Sequence, residues 1–173
     1  MSFISTYRDL YQIGYVTHDL ERAIAFLHET KMGVEEFLLR ETDLTVQIRG
    51  RECSLSMRVA IANVGRMQFE VIQPAAGATD IYTQGIDYER SVPAFHHVGV
   101  AVPGPISAWN DLAQDVRSNG DDFALAFAYD DGQEARVHFA YVDTRAYLGH
   151  STEYLWWAQS MDEANGALPN LAA

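Results

Sequence analysis

The sequence predicts an α+β fold in which two βαβββ modules form a curved, mixed or antiparallel sheet around a metal-containing cavity. The first observation is a repeated opening, because segment 12–16 reads QIGYV and segment 97–101 reads HVGVA, each before a helical pattern and several strand-like runs. The second is that each half closes on one glutamate in an apolar strand, Glu70 or Glu153. The spacing from position 12 to 70 nearly equals that from 97 to 153, which indicates a duplicated unit.

The elements of the first module follow from its hydrophobic pattern, in chain order. Residues 10–16 are typical of a strand, and Asp19 is placed to cap a helix that Gly33 ends. That helix has one apolar face, made of Leu20, Ala23, Ile24 and Leu27. Three further strands are predicted, at 44–48, where apolar and polar residues alternate, at 55–62, and at 67–72 before Gln73-Pro74.

The second module repeats this order of elements. A strand at 95–102 is followed by the turn Pro103-Gly104-Pro105 and by a helix that Gly120 closes. The predicted buried face of this helix comprises Ile106, Trp109, Leu112, Ala113 and Val116. Three strands are then predicted at 123–129, 135–142 and 151–157, with a hairpin turn at Asp130-Asp131-Gly132.

These elements divide a single domain, residues 1–173, into two modules with a connection and a tail. The first module covers 8–75 and the second covers 94–158. Residues 76–93 are rich in glycine and polar side chains and lie between prolines 74 and 93, so we interpret them as the connection. Residues 159–173 have little apolar patterning and are interpreted as a tail.

The composition limits the partners and the compartment of the protein. The net charge of −12 and the pI near 4.7 oppose attraction to phosphate backbones and to anionic membrane surfaces. Cys53 is the only cysteine, which excludes an intramolecular disulfide and any multi-cysteine zinc site. No apolar run approaches the length that spans a membrane. We therefore expect a cytoplasmic protein with no nucleic acid and no membrane as partner.

Polar residues in the apolar strands are possible metal ligands, and they occupy equivalent places in the two modules: Gln12, Glu70, His97 and Glu153. A lone histidine in such a strand is more often a core residue, but its repeat partner Gln12 favours the ligand interpretation for His97. Two buried carboxylates side by side would raise each other's pKa, whereas a bound dication would cancel their charge. Gly14 and Gly99 are expected to leave room in the cavity for a substrate or backbone.

Five segments of the chain carry a resemblance to a known family, and they span most of residues 10–157. They are 11–24 (YQIGYVTHDLERAI), 69–74 (FEVIQP), 96–102 (HHVGVAV), 139–145 (FAYVDTR) and 149–155 (GHSTEYL). Together, and in this order, they resemble the vicinal oxygen chelate superfamily, which includes glyoxalase I, methylmalonyl-CoA epimerase, extradiol dioxygenases and bleomycin-resistance proteins. The segment 69–74, with Gly77 after it, is most similar to the epimerase and glyoxalase I branch.

This resemblance implies one divalent metal ion held between the modules by Gln12, Glu70, His97 and Glu153. Zn²⁺, Ni²⁺, Co²⁺, Mn²⁺ and Mg²⁺ all suit oxygen-rich ligation with one imidazole. The implied activity is that of a metal-dependent isomerase, epimerase or lyase that forms an enolate or enediolate from a carbonyl substrate. Glu153 is the first choice of base and Glu70 the second. The expected partners are a small carbonyl compound, aromatic or apolar, and a second copy of the chain in a homodimer.

Other residues and functions are weaker alternatives. His138, Arg145 and Tyr88 are candidates for substrate binding, although packing or loop roles are more common for such residues. His96 has the opposite strand parity to His97 and is expected to pack or to support the site. A metal-free protein that sequesters ligands is a rival function for the same fold. A ring-cleaving dioxygenase is less favoured, because Gln12 stands where a second histidine would be typical.

Overall fold

The structure, a computed structural model, describes residues 9–30, 34, 36–90, 92–132 and 134–158. The strands are β1 Leu10–Val16, β2 Leu38–Ile48, β3 Arg51–Val64, β4 Met67–Gly77, β5 Ala94–Ala101, β6 Phe123–Asp131, β7 Glu134–Val142 and β8 Ser151–Trp157. The helices are α1 Leu20–Glu29, α2 Asp80–Thr83, α3 Ile106–Ser118 and α4 Arg145–Leu148. Gly33 and the predicted tail 159–173 lie outside the described residues.

The eight strands form one mixed sheet that closes on itself in the order β1-β4-β3-β2-β6-β7-β8-β5. β1 pairs in parallel with β4, and β5 pairs in parallel with β8. The remaining neighbours, including β1 with β5 and β2 with β6, are antiparallel. Each half of the chain therefore supplies four adjacent strands in an equivalent order. The α+β class and the mixed sheet predicted from the sequence agree with this architecture.

Two junctions join the halves into a closed ring, and they differ in extent. Strands β1 and β5 pair along their length, from Leu10 opposite Val100 to Val16 opposite Ala94. Strands β2 and β6 pair at a single position, where Gln47 lies opposite Ala126. The closed sheet thus has an extended strand pairing between β1 and β5 and a minimal one between β2 and β6.

The two long helices cover the outer face of the sheet. The side chain of Asp19 accepts a hydrogen bond from the Arg22 backbone N–H at 3.0 Å, which confirms it as the cap of α1. Leu20, Ala23 and Leu27 of this helix are buried together with Ala60 and Val71 of the sheet. Helix α3 buries four of the five side chains predicted for its inner face: Trp109, Leu112, Ala113 and Val116.

Several strand and turn limits differ from the sequence predictions. Strand β2 begins at Leu38 instead of at position 44, and β3 covers Arg51–Val64 instead of 55–62. Strand β4 continues through Gln73-Pro74 to Gly77, beyond the predicted limits of both the strand and the first module. Pro74 is tolerated because the β3–β4 pairing shifts register beside it: Met57 lies opposite Pro74 and Ser56 opposite Ala76, which leaves Ala75 of β4 as an extra residue in the ladder. The predicted connection contains the short helix α2, and strand β6 includes Asp130 and Asp131, which were predicted to be in the turn.

The interior of the ring contains the main hydrophobic cluster and a cavity of about 480 Å³. Alternate residues of β3 point inward, so Val59 and Ile61 line the cavity while Ala60 packs under helix α1. Among the described residues, no helix is long and apolar enough to cross a membrane. The module limits 8–75 and 94–158 remain predictions.

Candidate metal centre

Two adjacent rows of residues cross strands β4, β1, β5 and β8 and carry the four candidate ligands. In one row, Gly14 lies between Glu70 on β4 and His97 on β5. In the other row, Gly99 lies between Gln12 on β1 and Glu153 on β8. Each row thus has a ligand on either side of a glycine. The pairing register alone brings the four side chains to one patch of the inner wall.

The two glycines give space to the ligand of the opposite module. A Cβ atom on Gly14 would lie 1.8 Å from Cε1 of His97, and one on Gly99 would lie 2.7 Å from Cβ of Gln12. Such distances are far below van der Waals contact. The sequence predicted that these glycines make room for a substrate or backbone, but the space is filled by the ligand side chains.

The polar atoms of the four side chains converge. His97 Nε2 lies 3.2 Å from Oε1 of Gln12, 3.4 Å from Oε2 of Glu70 and 3.6 Å from Oε2 of Glu153. One ligand atom from each of Glu70, His97 and Glu153 lies within 4.8 Å of the others, and all three residues are buried. The structure therefore brings all four candidates together at one point, the arrangement expected for groups that share a cation.

Hydrogen bonds outside this cluster orient two of the four side chains. Nε2 of Gln12 donates to Oε1 of Gln68 at 2.7 Å, which turns the amide oxygen of Gln12 towards His97. On the other side, Nδ1 of His97 lies 2.9 Å from Nδ1 of His96. His96 thus supports the site, in agreement with its strand parity, and Gln68 is a supporting residue that sequence reasoning missed.

Burial and charge act against each other in this cluster. Burial raises the pKa of Glu153; the charge of His97 opposes this shift, and the Glu70 carboxylate adds to it. Burial disfavours the charged form of His97, but the carboxylates of Glu70 and Glu153 outweigh it and raise the pKa of His97. Burial lowers the pKa of His96 to about 3, so its ring is neutral.

The residues present fit a divalent cation. Oε2 of Glu70 is buried and makes no hydrogen bond within the described part of the chain, so it is available as a ligand atom. The donor set of one amide oxygen, two carboxylates and one imidazole suits borderline and hard divalent metals. A dication would also neutralise two carboxylates whose close approach is otherwise unfavourable.

The cavity above this cluster is mostly apolar. Its walls include Met57, Val59, Ile61, Ile72, Phe127, Val137 and Phe139, with Glu70 and Glu153 among the polar residues of the lining. Arg40 also lines the cavity, and Tyr129, which is half exposed, lies where the lining reaches the surface. Sequence reasoning missed Arg40, although its position on the inward-facing set of β2 with Leu44 and Val46 was a usable signal.

Three buried tyrosines surround the carboxylates. Burial, together with the charges of Glu153 and Glu70, raises the pKa values of Tyr11, Tyr82 and Tyr141. Their hydroxyl groups therefore stay protonated. Tyr82 and Tyr141 line the cavity, and Tyr11 precedes Gln12 as His96 precedes His97. That repeat equivalence was the sequence signal that Tyr11 belongs near the site.

The three weaker candidates for substrate binding lie elsewhere. His138 is in an outer groove of about 730 Å³ between α3 and the sheet, because Phe139 and Tyr141 take the inward-facing positions of β7. His138, a weak candidate for substrate binding, therefore lies outside the cavity that contains Glu70 and Glu153. Arg145 forms an ion pair with Asp143 at 2.7 Å and donates to the carbonyl of Gln84.

Tyr88 also lies outside the cavity lining. Its carbonyl oxygen accepts a hydrogen bond from Nδ1 of His18 at 3.2 Å, and its side chain packs against the main hydrophobic cluster. The positions of Arg145 and Tyr88 therefore correspond to the packing and loop roles that the sequence analysis kept as alternatives.

Comparison with known proteins gives one family and one fold. Residues 11–141 match the model of the glyoxalase/bleomycin resistance protein/dioxygenase superfamily. No curated protein matches the sequence. Among solved structures, methylmalonyl-CoA epimerase from Mycobacterium tuberculosis is similar, with a TM-score of 0.50, 15% identity and coverage of 90% of this chain and 91% of that chain.

Two further solved structures have the same fold. A variant of Streptomyces coelicolor methylmalonyl-CoA epimerase in complex with 2-nitronate-propionyl-CoA has a TM-score of 0.53 and 16% identity, covering 87% of this chain and 94% of that chain. A hypothetical protein from Bacillus halodurans has a TM-score of 0.50 and 15% identity, covering 87% and 94%. At these identities the similarity establishes the fold alone.

Proposed function

Because the chain belongs to the glyoxalase/bleomycin resistance protein/dioxygenase superfamily, we propose that it is a metal-dependent isomerase, epimerase or lyase acting on a carbonyl substrate. The observation that carries this proposal is the convergence of Glu70, His97 and Glu153 within 4.8 Å on the wall of an apolar cavity. Burying two carboxylates and an imidazole together lowers the stability of a fold, so such a cluster is typical of a functional site rather than of a structural one.

The residues that would bind the metal are Gln12 through Oε1, Glu70, His97 through Nε2, and Glu153. The candidate metals are Zn²⁺, Ni²⁺, Co²⁺, Mn²⁺ and Mg²⁺. When bound, the dication supplies positive charge that polarises a carbonyl oxygen and stabilises an enolate or enediolate. This set is the same as the one that the family resemblance implied from the sequence.

The proposed base is Glu153. Burial raises the pKa of this carboxyl group, which makes its ionised form a stronger base than an exposed glutamate. Glu153 lines the cavity, where it can take a proton from the carbon next to a substrate carbonyl. Glu70 lines the same cavity from the other module, so its carboxyl group, when protonated, could donate a proton to the opposite face of the carbon, as epimerisation requires.

The cavity indicates the substrate class. Its volume of about 480 Å³ and its aliphatic and aromatic walls suit a compact apolar or aromatic carbonyl compound. The similar epimerases bind coenzyme A esters, but the net charge of −12 makes this chain a poor match for a polyanionic carrier. A cytoplasmic location and a homodimer remain predictions.

One rival function has an observation in its favour. The largely apolar lining would also suit a protein that sequesters an apolar ligand without using a metal. In the enzyme, Glu70 and Glu153 would bind a metal ion and transfer a substrate proton, whereas in a sequestering protein they would do neither. Metal content and proton exchange therefore distinguish them.

The test combines metal analysis with solvent exchange. Protein purified without added metal is analysed for divalent ions, stripped with a chelator and reloaded with Zn²⁺, Ni²⁺ or Mn²⁺. Benzoin and phenylacetone are then incubated with each form in deuterium oxide. We expect about one ion per chain and metal-dependent deuteration of the carbon next to the carbonyl, with Glu153→Gln lowering the rate about 10²–10⁴-fold.

The matched control is Glu52→Gln, which changes an exposed glutamate of β3 and should leave exchange unchanged. Wild-type protein that binds no ion and exchanges no proton, yet binds an apolar probe tightly, would establish the sequestering function instead. Consumption of oxygen with a catechol probe would indicate a dioxygenase.

A further inference from the structure

The hydrogen bonds behind His97 form a chain that ends on the main chain. Nδ1 of His97 lies 2.9 Å from Nδ1 of His96, and Nε2 of His96 lies 2.9 Å from the carbonyl oxygen of Ile81. Both rings are buried, with exposed fractions of 1% for His96 and 0% for His97. A carbonyl oxygen only accepts hydrogen bonds, so Nε2 of His96 carries a proton.

The contact between the two rings needs one proton between the Nδ1 atoms. If His96 supplied it, that ring would carry two protons and a buried positive charge, and no carboxylate hydrogen-bonds to it among the described residues. The arrangement without a buried cation gives the proton to His97, whose Nδ1 then donates to Nδ1 of His96. In the neutral form of His97, which is the form that binds a metal ion, the unprotonated nitrogen is then Nε2.

The polar neighbours of His97 Nε2 are oxygen atoms that can only accept hydrogen bonds. Its neighbours are Oε1 of Gln12 and the carboxylates of Glu70 and Glu153, and the amide of Gln12 is held in this orientation by Gln68. A lone pair directed at three acceptors is repulsive unless a proton or a metal cation lies between them.

We propose that His96 is a positioning residue that keeps His97 in the tautomer protonated at Nδ1 and so presents its Nε2 atom to a divalent cation. This inference rests on the proposed function only for the identity of the cation. A histidine ligand commonly donates its second N–H to a fixed acceptor, and loss of that acceptor weakens metal binding. Here the acceptor is a second histidine, which is itself anchored by a carbonyl.

Two neighbouring tyrosine rings restrict the orientation of the His96 ring. The rings of Tyr82 and Tyr141 lie 5.2 and 5.6 Å from it, so aromatic contacts limit its rotation. Ile81 and Tyr82 belong to helix α2, in the segment predicted as a plain connection. This segment therefore has a defined role, because it supplies the carbonyl oxygen that sets the direction of the hydrogen bonds from His97 through His96.

The test reads the tautomer and the zinc affinity in the full chain. Protein labelled with ¹⁵N-histidine is studied by long-range ¹H–¹⁵N correlation without metal and with Zn²⁺, and zinc affinity is measured by competition with a chromophoric chelator. In the zinc-loaded wild type we expect His97 to be protonated at Nδ1 and zinc-bound at Nε2. His96 is expected to be neutral and protonated at Nε2.

Two variants separate positioning from packing. His96→Phe keeps a ring but removes the acceptor, and it should weaken zinc binding about 10–100-fold and abolish the single tautomer of His97. His96→Asn restores an acceptor at the place of Nδ1 and should recover most of the affinity. The control, His138→Phe, changes a histidine packed between Trp109 and Trp156 outside the cavity, and its zinc affinity should equal that of the wild type.

The outcomes are distinguishable. If His96→Phe binds zinc as tightly as the wild type and His97 keeps its Nδ1 proton, the inference is overturned. If His96→Phe fails to fold, His96→Asn decides in its place, since retained affinity supports the inference and lost affinity opposes it. If the wild type shows the proposed tautomers without metal but binds no zinc, the positioning role stands and the proposed function fails.

Discussion

The two modules of this protein place equivalent ligands in equivalent positions but orient them differently. In the first module, Gln12 is oriented by Gln68, from the neighbouring strand β4. In the second module, His97 is oriented by His96, the residue before it in the same strand. The residue before Gln12 is Tyr11, which contacts neither amide atom through a hydrogen bond in the described structure and instead lies beside Glu153.

This difference shows which part of the site the duplicated architecture determines. Register and strand parity fix the backbone position from which each ligand side chain projects, because Gly14 and Gly99 occupy equivalent positions in β1 and β5. They do not fix which atom of the ligand faces the centre. An amide needs an acceptor for its NH₂ group, whereas an imidazole needs an acceptor for one N–H, and each module supplies its own.

The largest expected effect comes from filling the two glycine positions. In Gly14→Ala, the new Cβ would lie 1.8 Å from Cε1 of His97, so the whole ring must move. We expect at least about a 100-fold loss of zinc affinity, the upper end of effects on ligand orientation, and overpacking that costs about 1–3 kcal/mol of stability. Zinc competition and thermal unfolding measure the two effects.

The matched variant is Gly99→Ala, whose Cβ would lie 2.7 Å from Cβ and 2.8 Å from Oε1 of Gln12. The overlap is smaller, and a flexible amide adjusts more easily than a ring, so the loss should be smaller than in Gly14→Ala. Equal losses in the two variants would mean that the modules do not differ in how rigidly they hold their ligands.

The second prediction concerns the orientation of Gln12. Gln68→Met keeps the volume of the buried side chain but removes the oxygen that accepts from Nε2 of Gln12 at 2.7 Å. Because the amide is then free to turn, zinc affinity should fall about tenfold, the lower end of effects from supporting residues. Isothermal titration with Zn²⁺ measures the loss. The control Gln114→Met alters an exposed glutamine of α3, and a similar loss there would contradict the assignment.

The smallest expected effect is a pH dependence of stability in the metal-free protein. The pKa values of Glu153 and His97 are both raised in the folded state, so the folded form binds more protons than the unfolded form. Stability should therefore fall as pH rises from about 6.5 through about 7, where Glu153 loses its proton in the folded state, and on through the raised pKa of His97. Above the ordinary pKa of histidine, neutral His96 no longer contributes.

Thermal unfolding of the stripped protein should follow this direction, with a change in Tm of about 2–4 °C for each kcal/mol. Saturating Zn²⁺ should remove the dependence, because the bound ion stabilises the carboxylates in their ionised form. A metal-free Tm that rises across this window would show that the carboxylates of Glu70 and Glu153 do not dominate the site.

Much of the fold was predictable because local patterns were strong. Strand β1 at 10–16 and strand β8 at 151–157 have the predicted limits, and Asp19 caps α1 as predicted. The repeat also predicted that the four polar residues of the apolar strands would meet. These predictions needed only strand parity, a capping residue and the internal duplication.

The remaining features depend on contacts between distant strands, which local patterns do not encode. Pro74 was predicted to follow the end of β4, but a register shift next to it in the β3–β4 pairing accommodates it within the strand. His138 has the polarity of a cavity residue, yet the pairing of β7 turns it towards Trp109 and Trp156. Gln68 supports the site only because β4 lies beside β1, a neighbour relation that the order of elements does not specify.

The single paired position between β2 and β6 bears on how a bulky molecule reaches the carboxylates. Separating these strands breaks the ladder at one position, Gln47 with Ala126, whereas separating β1 from β5 would disrupt six. Widening of the barrel wall is therefore expected to begin at this seam, on the side where Tyr129 reaches the surface. An entrance there would admit a bulky substrate while the four candidate metal ligands, on strands β1, β4, β5 and β8, keep their positions.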